Sequence, residues 1–102
     1  MIYVVATIQT EPGKRPALIE QFRRIVDLVR AEEGCLEYSP AIDFETNIDA
    51  QPDVRPDVVT VVEKWASLEH LEAHLCAPHM LEYRSRVKDF VTSVSIQVLE
   101  PA

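Results

Sequence analysis

Cationic residues are scarce in this chain: ten Lys and Arg stand against 17 Asp and Glu, a formal net charge of -7 over 102 residues. Such a surface repels phosphates, and no basic stripe offsets it, so no nucleic-acid partner is expected. Long apolar runs are missing too. Met1 leads straight into IYVVATI, with no basic segment, no small-residue cleavage site and no stretch long enough to span a bilayer. A soluble cytoplasmic protein with no membrane partner is the expectation. The two cysteines, Cys35 and Cys76, lack metal-type spacing, and in an intracellular chain such thiols are more often reduced small hydrophobes than a disulfide. There is no internal repeat or low-complexity tract. The chain reads as one domain over residues 1–102, with a high surface-to-volume ratio that a second subunit would relieve.

What is there centres on Val58 to Val87, which holds the single Trp and all three His. The β-branched run from Val58 to Trp65 predicts a strand, with Val59, Val61, Glu63 and Trp65 on one face and Val58, Thr60, Val62 and Lys64 on the other. Ser67 suits an N-cap, with Glu69 and Glu72 in the opening turns of the helix that follows. Leu68, Leu71 and Leu75 form its apolar stripe, with His70 and His74 one turn apart on the flank. Pro78 interrupts this helix and suits the first turn of another, where Met80, Tyr83, Val87 and Phe90 share a face.

Earlier in the chain, Ile2 to Gln9 reads as a strand ended by the turn Glu11-Pro12-Gly13. A helix follows from about Pro16, with Leu18, Phe22, Ile25, Val26 and Val29 on its inner face and Gly34 as its stop. Cys35 to Asp43 predicts a less regular strand, and Pro40 places it at an edge or a bulge. The acidic, proline-bearing stretch Phe44 to Asp57 reads as a long connection. Val91 to Leu99 closes the chain as a strand. The order β-α-β-β-α-β, with its second helix broken in two, is the α+β ferredoxin-like split βαβ arrangement. Because the central strand is apolar on both faces apart from Thr60 and Lys64, a symmetric homodimer packed sheet to sheet is expected.

Gly34-Cys35-Leu36 with Tyr38, Glu63-Lys64-Trp65-Ala66-Ser67, Leu71-Glu72-Ala73-His74 and Pro78-His79 resemble the antibiotic biosynthesis monooxygenase superfamily, especially its YgiN-like quinol monooxygenase branch. The likeness spans nearly the whole chain except Phe44 to Asp57. It implies a dimeric α/β barrel and cofactor-free oxygenation of a quinol, anthrone or related polyphenol, the partners being a small aromatic substrate and dioxygen. Some members carry an Asn on the first strand, where this chain has Thr7 or Gln9, and that departure speaks against haem degradation.

A cofactor-free oxygenase needs a base and a water-poor pocket, because an electron-rich phenol must lose a proton before it donates an electron to dioxygen. His74 is the candidate base, Trp65 the pocket wall, and Glu63 the group that orients His74. Thr7, Phe22, His79, Tyr83 and Phe90 are candidate substrate contacts. The same residues also suit a plain interior, with Trp65 as core filler and Glu63 with His74 as a buried structural pair. A zinc set of His70, His74 and His79 is a weaker reading, since flanking His on an amphipathic helix are usually solvated, and no metal or cofactor is expected. Arg84, Arg86 and Lys88 read as a solvated face. Two further functions stay open: a non-enzymatic small-molecule-binding or stress-related dimer on the same fold, and a lyase or isomerase of the wider dimeric α/β-barrel group.

Overall fold

In a computed structural model covering Met1–Ala102, the periodicities become β1 (Ile2–Thr10), α1 (Arg15–Arg30), β2 (Cys35–Ala41), β3 (Val58–Trp65), α2 (Leu68–Leu75), α3 (Pro78–Val87) and β4 (Val91–Leu99). The four strands form one antiparallel sheet in the order β2-β3-β1-β4. Each βαβ unit thus has a third strand inserted between its two strands, which is the ferredoxin-like arrangement. No helix is long and apolar enough to cross a membrane.

The core lies between the helices and one sheet face. Val4, Ala6 and Ile8 of β1 stand opposite Glu63, Val61 and Val59 of β3, and all six are buried. Leu18, Phe22, Ile25 and Val29 cover them from α1, at the three- and four-residue spacing that one helix face requires. Each such side chain removed from water contributes about 1.5–3 kcal/mol, so this face holds the domain together.

Several boundaries differ from the sequence reading for identifiable reasons. Helix α1 ends at Arg30 and not at Gly34, which instead takes φ +79° in the turn leading to β2. That turn is pressed against α2: a Cβ on Gly34 would overlap the His70 ring. Strand β2 stops at Ala41, two residues early, and it is indeed an edge strand, with a register shift between Cys35 and Glu37. Phe90 falls just beyond α3, its N–H donating to the Val87 carbonyl at 3.1 Å. The outer sheet face carries Tyr3, Val5, Val58 and Val62 beside Thr60 and Lys64, the two polar exceptions read from the sequence, and the Lys64 ammonium lies 5.5 Å from the Tyr3 ring centroid. A further exposed apolar row, Val94, Ile96 and Val98, lies on the helix side of β4.

Candidate active site

The apolar stripe of α2 is rotated from the one the leucines suggest. Leu71 and His74 are its buried residues, whereas Leu68 is 50% exposed. An imidazole is accepted at this interior position because its polar edge is satisfied and its faces are packed. Its Nδ1 lies 2.8 Å from Glu32 Oε2, and its ring sits 4.7 Å from the Trp65 ring and 5.5 Å from the Tyr38 ring, centroid to centroid. A leucine there would remove one of the partners of the Glu32 carboxylate. Ser67 starts the helix as expected, its hydroxyl accepting from the His70 N–H at 3.3 Å.

Glu32 was not foreseen as a site residue. It occupies the turn between α1 and β2, 42 positions before His74, and Oε2 also lies 2.9 Å from His79 Nε2. An ionised carboxylate has only acceptor sites, so both imidazoles donate to it. The neutral His74 ring then carries its proton on Nδ1 and keeps a lone pair on Nε2. The one local hint in the sequence is Gly34, whose missing side chain lets this turn approach α2, while its carbonyl accepts from the Ala66 N–H at 2.8 Å.

Glu63 does not orient His74. Strand geometry puts residues i and i+2 on one face, and Glu63 Oε1 accepts from Trp65 Nε1–H at 2.9 Å. Burial pushes the Glu63 carboxyl up to about 7, with the Glu32 charge adding to it and the Trp65 N–H opposing it. Burial likewise lowers the His74 pKa, against the raising influence of Glu32, so the neutral ring is favoured. The Tyr38 phenol is pushed up by burial and then by Glu63, and Tyr83 by burial, which keeps both as protonated donors.

A cavity of about 500 Å³ opens between helices and sheet. Of its 16 lining residues 12 are apolar or aromatic, and the other four are Glu63, His74, Arg84 and Lys88. Such a lining offers few polar groups, as a site for a flat aromatic molecule requires. Phe22 and Tyr83, with rings 5.1 Å apart, line it together with Tyr38. Trp65 does not: it is fully buried behind His74, a support for the imidazole and not a wall of the cavity. Thr7 projects from the opposite sheet face, paired with Thr60 and Ser95, and so points away from the cavity. His79 lies behind Glu32, and Phe90 packs at the edge of the core. Arg84, Arg86 and Lys88 are all exposed, as read from the sequence; Arg84 and Lys88 also border the cavity, while Arg86 pairs with Glu82. His70 takes no part, its Nδ1 lying 2.7 Å from Ser67 Oγ.

Residues 1–86 match the family model of antibiotic biosynthesis monooxygenases. The chain belongs to that family. It is 42% identical to the "Probable quinol monooxygenase YgiN" of Escherichia coli, over 99% of this chain and 98% of the relative. Two solved structures agree on the fold: PA3566 from Pseudomonas aeruginosa, with TM-score 0.82 at 27% identity, covering 99% of this chain and 93% of that one; and Rv0793 from Mycobacterium tuberculosis, with TM-score 0.80 at 26% identity, covering 99% and 94%. Within this family architecture, the groups gathered at the cavity are a buried imidazole, a desolvated carboxyl and two buried phenols.

Proposed function

We propose that this chain is a cofactor-independent monooxygenase acting on a quinol, anthrone or related polyphenol, with His74 as its base. Family membership and the likeness to YgiN support a monooxygenase, and the observation that carries the assignment of the base is the Glu32–His74 contact. With Nδ1 engaged, the lone pair of Nε2 takes the phenolic proton, while Glu32 stabilises the imidazolium that forms. The phenolate then donates an electron to dioxygen, and the two radicals join at carbon as a peroxide. One oxygen atom stays in the product and the other leaves as water, the substrate supplying all four electrons. Glu63, held near neutrality, hands a proton to the departing oxygen. The apolar lining keeps bulk water from the reduced-oxygen intermediate.

Arg84 and Lys88 at the cavity edge favour a substrate that is anionic or becomes so. A homodimer belongs to the same proposal, because the exposed Val94, Ile96 and Val98 on β4 form an apolar row that a second copy can cover.

Oxygen uptake with a panel of para-hydroquinones and anthrones, in chelator and without flavin, tests the activity against the rate of spontaneous autoxidation. His74→Ala is expected to lower the enzymatic rate on the order of a hundredfold, and His70→Ala to leave it unchanged. Binding of the same aromatics without oxygen uptake above background would sink the enzymatic reading in favour of a binding protein.

A further inference from the structure

Behind the cavity, three side chains from three separate elements converge on one point. They are Glu32 in the turn after α1, His74 on α2 and His79 in the first turn of α3, with Glu32 Oε2, His74 Nδ1 and His79 Nε2 all within 4.8 Å of one another. We propose that Glu32, His74 and His79 form a binding site for a divalent metal ion of the zinc class, and that the bound ion switches off His74 as a base. The second half rests on the functional reading above; the first half does not.

Donor chemistry selects the ion. Two imidazole nitrogens and one carboxylate oxygen suit zinc, with a fourth position left for water, whereas calcium and magnesium ask for oxygen ligands. The geometry needs adjustment. At zinc–ligand distances of about 2.0–2.1 Å, tetrahedral ligand atoms stand roughly 3.3 Å apart, so the two nitrogens, within 4.8 Å of each other, must settle near that separation, and Oε2 must draw back by about half an ångström from each nitrogen, now 2.8 and 2.9 Å away. Glu32 is the member able to do so: it sits in a turn, while His74 is wedged between the Trp65 and Tyr38 rings. Its ion-pair partners are the two imidazoles themselves, so no Lys or Arg has to be displaced.

Access comes from outside and not through the cavity. The His79 and Glu32 side chains are 21% and 15% exposed, against 2% for His74, and neither His79 nor Glu32 lines the cavity. Among the three His, the one at helical spacing from His74 that the sequence offers for a metal, His70, is turned away toward Ser67. Glu32 takes its place in the set.

The consequence for His74 follows from counting protons on its ring. In the metal-free site the proton is on Nδ1 and the lone pair on Nε2. A neutral imidazole bound to metal through Nδ1 must carry its proton on Nε2, which makes that atom a donor with no lone pair for a phenol. The ion therefore competes with the proton-accepting form of the ring without entering the substrate cavity.

Equilibrium dialysis of the chelator-stripped full chain against Zn²⁺ tests the site without reference to activity. One ion per chain is expected, with binding weakened at least ~tenfold by Glu32→Gln and by His79→Ala, and unchanged by His70→Ala. Circular dichroism checks that each variant is folded, and nitrogen-15 resonances of His74 report whether Nδ1 takes the metal and Nε2 the proton. No stoichiometric zinc, or binding indifferent to both Glu32→Gln and His79→Ala, overturns the site. In oxygen uptake, Zn²⁺ is expected to inhibit the parent protein with an equivalence point near one ion per chain, EDTA to restore it, and His79→Ala to require more zinc. Zinc held by the three residues with uptake unaffected overturns the switch alone. Zinc so held in a protein that turns over no quinol leaves the site standing and removes the enzymatic reading.

Discussion

Replacing Glu63 by Gln isolates the energetic consequence of holding a carboxyl inside this cavity. Glu63 is 6% exposed and its carboxyl titrates at about 7 in the fold, against 4.5 for an ordinary Glu. Below about pH 4 both the folded and the unfolded chain hold this proton, and the group contributes no pH dependence. As pH rises past 4.5 the unfolded chain releases it while the folded chain keeps it, so stability falls until the folded carboxyl ionises near 7. A rise of about 2.5 pH units at about 1.4 kcal/mol each gives a loss of ~3 kcal/mol by pH 8. Gln keeps the shape and can still accept from Trp65 Nε1–H, but it has nothing to ionise. Urea unfolding of both proteins at matched chain concentration, from about pH 4 to pH 8, should show near-equal stability at the acid end and a growing advantage of the variant, reaching ~3 kcal/mol. Taking the difference between the two proteins at each pH cancels the other titrating groups they share. A difference that stays flat across this range would mean that water reaches Glu63 in solution and that the cavity is not dry.

Gly34→Ala should destabilise the fold on the order of 2 kcal/mol in urea titrations, because φ is +79° and the new Cβ would overlap the His70 ring; adding His70→Ala should return only the part due to overlap, and a neutral single variant would refute the close approach. Removing Asn47 to Arg55 should leave a folded protein by circular dichroism, since residues 44–56 include no buried side chain, although it deletes the Arg55 partner of Asp43. Unfolding on deletion would show that this connection holds the core. Sedimentation at micromolar concentration should give a dimer that Val94→Lys and Ile96→Lys weaken, and a stable monomer of the parent chain would remove the proposal for β4.

Legibility in the sequence followed the range of the interaction. Strand β3 was readable to the residue, Val58 to Trp65, because a β-branched run announces a strand and the Ala66-Ser67 start of the next helix ends it. Helices α2 and α3 were readable from Ser67 and Pro78, both local signals. The partner of His74 was not. Periodicity ranks positions within one element, and Leu68 and Leu75 outweigh His74 on any hydrophobic scale until Glu32 is present to satisfy the ring. Glu63 was correctly placed on the face of Trp65, but a shared face made the wrong pairing with His74 plausible, when the nearest donor was the indole two residues away. The solvated face of Arg84, Arg86 and Lys88 was legible from its own spacing, but that Arg84 and Lys88 also border a cavity was not, since the rest of its wall comes from other elements.

The break between α2 and α3 explains how two His five positions apart reach one carboxylate oxygen. In a single unbroken helix, residues 74 and 79 would point about 140° apart around the axis, and no carboxylate could meet both. Ala77 is extended, φ -61° and ψ 141°, as the residue before a proline tends to be, and α3 starts anew at Pro78. The redirected chain brings the first turn of α3 beside the last turn of α2, and both face the turn that carries Glu32. Proline here does more than end a helix: the change of axis at Ala77 turns an i, i+5 pair that cannot cooperate into two imidazoles on one acceptor. The same change of axis points Met80, Tyr83 and Val87 toward the sheet, so that Tyr83 closes the cavity that His74 enters from α2. The base, its acceptor and the apolar wall opposite are therefore placed by one backbone feature, which is why the interrupted helix lies at the centre of the site and not at its margin.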